Sequence, residues 1–453
     1  MLMNANPLLG CKMPAMSLHV SSLVLLPLLV LSQLLVLPPP TTLAAGHQPH
    51  LSKPILARLD KDPSTSLYTI SIGAPLVVDL AGPLVWSTTC LPAHRTIPCR
   101  SSVCTVANRG GPDACARTRS GDQLLPAGAG SSCVCTARPY NPVTGQCGVS
   151  DVTAVPLSAN ATDGRNPLFP VSFSAFGACA PAGLLASLPA GAAGVAGLSR
   201  QPLSLPSQVG SALKVAKEFA LCLPSGGGSG AAIFGGGPFQ LLAAPPVELA
   251  AGLRADPVPL VRNPMNGAYY LPVTGVAVNL ARVPLPRGAL ALDTRRGAGG
   301  VALSTVAPYA TLRPDVYRPL RAAFDAATSG IPRAAPVAPF EMCYQASALS
   351  VTRLGFAVAN IDLMLAGGRN WTLPGGSSLV QVNDQTVCFA FLEMGLSGTA
   401  AAPGSPAVIL GGFQLEDHLL LFDLDKGTLG FSGPLAGIRT GCSNFNFTMG
   451  SSF

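Results

Sequence analysis

The sequence has few charged residues. Asp, Glu, Lys and Arg together make up 11% of its 453 residues, and aromatic residues make up 6%. The net charge of +7 is spread along the chain without a block of five or six basic residues, and pairs such as Arg295–Arg296 are isolated. Nucleic-acid binding needs a concentrated basic face, so we do not expect it here. A mildly positive surface still favours an acidic partner or a pectin-rich wall.

Histidine is also scarce, and this bears on the role of the cysteines. The chain has five histidines, and His94 is the one near a group of cysteines between residues 90 and 147. Zinc sites use Cys and His ligands, so zinc is the alternative to disulfides for this group. The oxidising compartment inferred below favours disulfides. We expect neither a metal nor a cofactor.

An apolar run dominates the N-terminus. Residues 22–46, SLVLLPLLVLSQLLVLPPPTTLAAG, end in prolines and small residues and follow a basic flank at Lys12. This pattern predicts a secretory signal over 1–45, cleaved near Ala44 or Ala45. A signal anchor is the alternative because the run approaches membrane-spanning length, but its proline and its small-residue end favour cleavage. We therefore expect a protein of the extracellular space or cell wall, without a membrane segment in its mature form.

Cysteine is plentiful after the signal. An even dozen in a secreted chain predicts six disulfides, without fixing their pairing. The twelve are Cys90, Cys99, Cys104, Cys115, Cys133, Cys135, Cys147, Cys179, Cys222, Cys343, Cys388 and Cys442. Three N-glycosylation sequons agree with secretion, and each should be exposed. Their acceptors are Asn160, Asn370 and Asn446.

Strand patterns recur in both halves of the chain. Apolar and small residues alternate in SLYTISIGAPLVVDLAG, and an apolar-apolar-Gly element occurs within 195–199 and within 408–412. A composition shift near 244–256 suggests a boundary between an N-terminal β lobe with a Cys-rich insertion, 46–253, and a C-terminal β lobe with a short tail, 254–453. These loosely parallel halves predict a duplicated all-β architecture with a cleft between them.

A helical pattern occurs in RPDVYRPLRAAFDAATSG. Val316, Leu320, Ala323 and Phe324 recur there at helical spacing and share one face. We expect a helix at this point and few others.

Three segments, in order, resemble the pepsin-like aspartic proteases. They are VVDLAGPLVWSTTC at 77–90, GVAGLSRQPLSLPSQV at 194–209 and VILGGFQLEDHLLLFDLDKGTLGFS at 408–432. A narrower likeness, in CTARPYNPVTGQC and LSTVAPYATLRPDVYRPL among others, is to plant xylanase inhibitors of the pepsin fold, extracellular dermal glycoproteins and basic seed globulins. The resemblance implies an all-β bilobal fold of two β-barrel-like lobes with few short helices. It also implies a secreted protein generally regarded as proteolytically inactive.

The resemblance places the first catalytic aspartate of the proteases at Asp79. These enzymes need two carboxylates about 3 Å apart that share one proton. Leu80, Ala81 and Gly82 stand where the family has Thr, Gly and Ser. We therefore expect the hydroxyl network that orients this loop to be lost.

The position of the second catalytic aspartate falls on Ser304. A serine cannot share a dyad proton as a carboxylate does, and no histidine lies nearby in sequence to activate it. We therefore expect no catalytic residues, with Asp79 acting as an acceptor for neighbouring N–H groups and Ser304 facing it.

Two further residues resemble parts of the protease site. Asp293 precedes a Thr after an apolar run, but Arg295 follows where Gly is expected, so we interpret 293–298 as a loop insertion. If Asp293 lay within hydrogen-bond reach of Asp79, the hypothesis of an active protease would be supported. Tyr140 matches the tyrosine of the flap, the hairpin loop over the cleft, and without a dyad we expect it to be a packed loop aromatic.

The resemblance also implies two disulfides and a contact surface. It pairs Cys343 with Cys388 and Cys222 with Cys442. In the xylanase inhibitors a His shortly before the last Cys meets the hydrolase; here Ile438 occupies that position, Arg439 follows, and the loop is two residues longer. Arg439 is either a partner for a carboxylate of the hydrolase or a solvated loop arginine.

The expected function is inhibition of a microbial glycoside hydrolase, a xylanase, by a monomer acting in plant defence. An active aspartic endopeptidase is one alternative. A wall or seed binding or storage glycoprotein without an enzyme target is another.

Overall fold

A computed structural model describes residues 53–90, 93–108, 115, 133–162, 169–237, 239–243, 245–395 and 404–445. These residues belong to one compact unit that begins at Leu51. The signal expected over 1–45 and the sequon at Asn446 lie outside the described residues. Within them no helix is long and apolar enough to cross a membrane.

Most of the described chain is short strands joined by turns, as recurrent Val, Leu and Thr interrupted by Gly and Pro predict. The strands before residue 253 are β1 (Ile55–Lys61), β2 (Tyr68–Ile72), β3 (Ala74–Asp79), β4 (Val85–Ser87), β5 (Thr136–Ala137), β6 (Ser150–Ala161), β7 (Phe169–Cys179), β8 (Gly194–Gly197), β9 (Glu218–Cys222), β10 (Gly230–Phe234), β11 (Gln240–Leu241) and β12 (Val247–Glu248). The later strands are β13 (Val258–Pro259), β14 (Val261–Arg262), β15 (Tyr269–Leu271), β16 (Val273–Val278), β17 (Ala281–Arg282), β18 (Leu292–Asp293), β19 (Ala298–Gly299), β20 (Val301–Leu303), β21 (Ala310–Leu312), β22 (Arg333–Ala334), β23 (Cys343–Gln345), β24 (Val351–Thr352), β25 (Gly355–Phe356), β26 (Ile361–Leu365), β27 (Asn370–Leu373), β28 (Leu379–Asn383), β29 (Thr386–Phe389), β30 (Phe391–Glu393), β31 (Val408–Leu410), β32 (Leu419–Asp423) and β33 (Thr428–Phe431).

The helices are short apart from one. The α-helices are α1 (Ser102–Ala107), α2 (Leu205–Leu213), α3 (Ala250–Ala255), α4 (Pro314–Ala327), α5 (Gly375–Ser378) and α6 (Gly412–Leu415). Single 3₁₀ turns cover Ala182–Leu185, Ala346–Ala348, Leu435–Ile438 and Cys442–Asn444. The helix expected near 313–330 is confirmed as α4, which buries Val316, Leu320 and Phe324.

One sheet of 13 strands carries much of the fold. Its strand order is β13-β33-β32-β9-β10-β1-β2-β3-β8-β4-β7-β6-β5. A six-stranded sheet, β14-β15-β20-β31-β21-β30, and two four-stranded sheets, β17-β16-β26-β27 and β22-β23-β29-β28, hold most of the later strands. The last strands of the chain, β32 and β33, join the large sheet through β9, so this sheet contains strands from both sides of the boundary expected at residues 253/254. That boundary stays a prediction.

Two strand pairs repeat the same local arrangement in the two large sheets. Strand β3 runs parallel to β8, with Asp79 opposite Gly197. Strand β20 runs parallel to β31, with Leu303 opposite Leu410. Ser304 therefore follows β20 at the place where Asp79 ends β3, and Gly411 follows β31 where Gly197 ends β8.

Both of these glycines are required by close backbone packing. A Cβ on Gly197 would lie 2.4 Å from the carbonyl oxygen of Gly82, and a Cβ on Gly411 would lie 2.4 Å from the carbonyl carbon of Tyr309. Real Cβ atoms do not approach this closely, so each loop after β3 and β20 can fold against its neighbouring strand only if glycine stands there. The apolar-apolar-Gly elements seen in the sequence thus position the two loops.

Six disulfides cross-link the fold. All of the cysteines between 90 and 147 are in disulfides, so the zinc alternative for this group is wrong. The pairs are Cys90–Cys179, Cys99–Cys133, Cys104–Cys135, Cys115–Cys147, Cys222–Cys442 and Cys343–Cys388. The last two are the pairs that the resemblance implied. Disulfides of this number fit an oxidising compartment.

The sequons differ in exposure. Asn370, at the start of β27, is exposed as expected. The expectation for Asn160 is wrong: its side chain is half-buried near the end of β6. There it lies opposite Pro170 of β7 and opposite Leu56 of β1, and strands on both sides leave less room than a surface loop would.

Removal of Cys222–Cys442 is expected to destabilise the protein more than removal of Cys343–Cys388. The two bridges close loops of 220 and 45 residues, and the longer loop restricts the unfolded chain more. We expect a cost of about 2–5 kcal/mol for the Cys222→Ala/Cys442→Ala variant, and a cost about 1 kcal/mol smaller for Cys343→Ala/Cys388→Ala. Guanidinium unfolding of both variants measures this. Equal midpoints for the two variants would contradict the argument.

Candidate functional site

Asp79 ends β3 as a buried carboxylate that accepts hydrogen bonds. Its side chain is 1% exposed. The Ala81 amide donates to Oδ1 at 2.9 Å, and the Tyr140 hydroxyl donates to Oδ2 at 2.9 Å. The backbone oxygen of Asp79 accepts from the amides of Gly82 and Leu198. Asp79 is thus an acceptor for neighbouring N–H groups, as expected.

Tyr140 does more than the packed loop aromatic that the sequence suggests. Its loop is held by an isolated bridge to Cys147, and its carbonyl accepts a hydrogen bond from the Trp86 indole at 3.0 Å. Its hydroxyl reaches the carboxylate of Asp79 at the end of β3. The flap tyrosine therefore donates a hydrogen bond to Asp79, the residue at the position where a pepsin-like protease has a carboxylate that activates water.

Burial controls the protonation of this pair. Burial raises the pKa of Asp79, although hydrogen bonds from Ala81, Tyr140 and Gly82 act in the opposite direction. Burial, and then the negative charge of Asp79, raises the pKa of Tyr140 well above its usual range. Tyr140 is therefore the donor and Asp79 the acceptor.

The hydroxyl of Ser304 forms hydrogen bonds within its own loop. Its Oγ accepts from the amides of Val306 at 3.3 Å and Ala307 at 3.1 Å, and its own amide donates to Leu410. The first of these contacts has a counterpart in the other loop, where Asp79 accepts from Ala81. Ser304 caps the turn without supplying a carboxylate.

The two loops are joined by Thr305. Its buried hydroxyl donates to the carbonyl of Val78 at 2.6 Å and accepts from the amide of Leu80 at 3.2 Å. The expected loss of the hydroxyl network is therefore wrong in part. Leu80 replaces one threonine of the pair, and Thr305 on the other side still makes the bridge, because its two partners are backbone groups that any residue supplies.

Asp293 lies away from this bridge. It is exposed in β18, and its carboxylate accepts from the amides of Arg295 and Arg296 in the turn to β19. The turn lies within residues 293–298, and its interpretation as a loop insertion stays a prediction. The hydrogen bonds that Asp293 makes are thus within its own turn, and Tyr140 is the side chain bonded to Asp79.

Sequence reasoning missed Thr305 although the signal was present. Thr305 directly follows Ser304, at the position where the pattern of the resembling proteases has Ser or Thr after the second aspartate. The two loops and Tyr140 together hold a single buried carboxylate, Asp79, in hydrogen bonds. This is a structural role, because acid–base catalysis of the pepsin type needs two carboxylates.

Thr305→Val is expected to destabilise the protein by about 1–3 kcal/mol. The change keeps the shape of the side chain but leaves the buried Leu80 amide and Val78 carbonyl without this partner. Thr305→Ser keeps the hydroxyl and is the matched control, with an expected loss of at most about 1 kcal/mol for the missing methyl. Urea unfolding measures both variants, and equal losses would count against the bridge.

Asp79→Asn is expected to flatten the pH dependence of stability. Because the folded pKa of Asp79 is raised, its contribution is present below the unfolded pKa and is lost as pH rises through the folded pKa. The neutral amide does not undergo this loss, so the variant should gain stability relative to the wild type as pH rises above the ordinary aspartate pKa of about 4. Tyr140→Phe removes a donor to the carboxylate and should steepen the dependence. Parallel curves of unfolding free energy against pH for Asp79→Asn and wild type would contradict the assignment.

Comparisons with known proteins agree with this geometry. The family model described as "Xylanase inhibitor N-terminal" matches residues 67–236, and "Xylanase inhibitor C-terminal" matches residues 268–433. "Chitinase CLP" of Oryza sativa subsp. japonica is 47% identical over 443 residues, which cover 96% of this chain and 100% of the relative. "Probable aspartic proteinase GIP2" of Nicotiana benthamiana is 31% identical over 438 residues, covering 90% and 95%.

A solved structure, "Crystal structure of edgp", has a TM-score of 0.77 and 31% identity, and the match covers 88% of this chain and 99% of that one. The all-β pepsin-like fold expected from the sequence is confirmed. Both domains of the family match this chain and together cover most of its length. The chain has Asp79 in one of the two family loops and Ser304 in the other. It belongs to the xylanase-inhibitor family of pepsin-fold plant proteins.

Proposed function

We propose that this protein is a secreted, proteolytically inactive inhibitor of microbial glycoside hydrolases, with a xylanase as the first target to test, acting in plant defence. The observation that carries the proposal is a rigidly held surface loop, residues 433–442, that presents Ile438 and Arg439 to solvent. We call it the contact loop.

The contact loop is anchored at both ends. Leu435 is buried, and its amide donates to the carbonyl of Asp417 at 2.8 Å. The amide of Cys442 donates to Oδ1 of Asp417 at 2.8 Å, and Cys442 is bridged to Cys222. An inhibitor benefits from such anchoring because less conformational freedom is lost on binding.

The exposed tip of the loop is held in one conformation. Arg439 follows the 3₁₀ turn with φ 59° and ψ 37°, and its amide donates to Ala436 at 3.1 Å. The hydroxyl of Thr440 donates to the carbonyl of Leu242 at 2.8 Å. The guanidinium of Arg439 therefore projects from a fixed backbone.

A hairpin made of β24 and β25 extends the contact loop into a surface. Arg353 Nη1 lies 3.5 Å from the carbonyl of Gly437, and a Cβ on Gly437 would meet Leu354 at 3.7 Å. Val351 is 76% exposed and Ile438 is 47% exposed. Two arginines beside exposed apolar side chains suit an enzyme cleft that has two carboxylates at its centre and apolar sugar-binding walls.

The protease alternative has less support. A pepsin-type reaction needs a second carboxylate, and Ser304 caps its loop instead. Oδ2 of Asp79, the other requirement of such a reaction, already accepts a hydrogen bond from Tyr140. Chitinase chemistry, raised by the printed name of the rice relative, uses a pair of carboxylates as well, and the described active-site loops supply Asp79 alone.

Titration of the purified protein into xylanase assays tests the proposal. We expect saturable loss of hydrolysis at or below micromolar protein, and a loss of about 2 kcal/mol or more in binding, roughly thirtyfold, for Arg439→Gln. Arg282→Gln, at an exposed arginine of β17, is the matched control and should inhibit as the wild type does.

Three outcomes would decide against this proposal. If the protein inhibits none of the enzymes in a panel of microbial glycoside hydrolases, a binding or storage glycoprotein is favoured. Acid-pH cleavage of a denatured protein that is abolished by Asp79→Ala favours the protease. Release of sugar from chitin by the protein itself favours a hydrolase.

A further inference from the structure

Four arginines from three separate segments of the chain lie around the hairpin of β14 and β15. We call them the arginine surface: Arg200, Arg262, Arg295 and Arg296. The amide of Arg200 donates to the carbonyl of Gly267, in the loop of this hairpin, at 3.0 Å. Arg262 belongs to β14 itself. The first two arginines are therefore neighbours through one short hairpin.

The turn between β18 and β19 adds the other two arginines. Asn263, next to Arg262, donates from Nδ2 to the carbonyl of Gly297 at 2.9 Å. A Cβ on Gly297 would lie 2.5 Å from Cγ of Met265, so the turn packs directly on the hairpin loop. Arg295 and Arg296 are thereby placed beside the strand that carries Arg262.

The charge of this surface is largely uncompensated. Arg262, Arg295 and Arg296 are exposed, and none of the four arginines takes part in an ion pair among the described residues. The nearest sequence carboxylate, Asp293, accepts backbone amides of the turn. Four positive charges and this one negative charge leave a local net charge of +3 (4 − 1 = 3), in a chain whose net charge is +7.

Arg200 gives an independent sign of an anionic ligand. Its Nε and Nη2 are buried without a hydrogen-bond partner in the described structure, and its guanidinium lies 5.2 Å from the centroid of the Tyr269 ring. Arg262 lies opposite Tyr269 across the hairpin, so its side chain shares the face on which the Arg200 guanidinium covers the Tyr269 ring. Burial lowers the pKa of Arg200, Tyr269 raises it, and the charge of Arg262 lowers it. Buried N–H donors of a cation that lack acceptors are costly, and an approaching anion relieves that cost.

We propose that the arginine surface binds the carboxylates of an acidic polysaccharide built from uronic acids. Guanidinium groups match carboxylates in geometry and bind them with two parallel hydrogen bonds. A polymer with one carboxylate per sugar meets several of the arginines at once, and Met265, 57% exposed, offers an apolar contact for a sugar ring. This site is separate from the contact loop and serves to retain the protein in an acidic wall matrix.

Affinity electrophoresis in gels that contain polygalacturonate tests this proposal, with fully methyl-esterified polygalacturonate and dextran sulfate as comparison probes. We expect retardation in polygalacturonate that weakens with salt and is absent with the esterified polymer. Arg295→Gln/Arg296→Gln should weaken binding about two- to thirtyfold, the effect of losing two exposed charge contacts. Both side chains are exposed, and the hydrogen bonds of their turn use the backbone amides of Arg295 and Arg296 and not the guanidinium groups, so the variant should fold.

Arg353→Gln/Arg439→Gln is the matched control, since it removes the same charge from the other surface. It should keep polygalacturonate binding and lose hydrolase inhibition, whereas Arg295→Gln/Arg296→Gln should do the reverse. Equal weakening of polygalacturonate binding by both double variants would show attraction to overall charge and overturn the proposal. Retention by the esterified polymer, equal or tighter binding to dextran sulfate, or no retardation at low salt would overturn it as well.

Discussion

The hydroxyl of Thr305 is the contact on which the centre of this molecule depends. It joins the loop after β20 to the loop after β3 through two backbone groups, the carbonyl of Val78 and the amide of Leu80. Because both partners are backbone atoms, the bridge survives although Leu80 has no hydroxyl of its own. The junction can therefore keep its geometry after the chemistry of its carboxylates has changed.

This separation of structure from chemistry explains the rest of the site. Asp79 remains, but as a buried acceptor for Ala81 and Tyr140. Ser304 replaces the second carboxylate and caps its turn. Because the groups around Asp79 are hydrogen-bonded to one another, we expect a partner to bind at the outer loops. The disulfide Cys222–Cys442 anchors one of these, the contact loop.

Local patterns predicted much of the fold. The strands, the helix with Val316 on its buried face, and the glycine after each apolar run could all be predicted, because each depends on residues close together in sequence. The resemblance added the assignment of Ser304 to the second active-site loop. These features need only periodicity, turn chemistry and a known order of motifs.

Long-range contacts account for what could not be predicted. The bridge from Thr305 to Val78 spans 227 residues, and the bond from Tyr140 to Asp79 spans 61. Asn160 is half-buried because β1, about a hundred residues earlier in the sequence, pairs on one side of it while the neighbouring β7 pairs on the other. The arginine surface forms because one hairpin gathers segments that composition alone shows as scattered charge.

Hydrogen exchange of the protein, free and mixed with a xylanase, tests the central proposal that function has moved from the cleft to the surface. We expect slower amide exchange in the contact loop and in the hairpin of β24 and β25, with the loops that carry Asp79, Tyr140 and Ser304 unchanged. Protection confined to the Tyr140 flap and the Asp79 loop would mean that the partner enters the cleft, and would contradict the account.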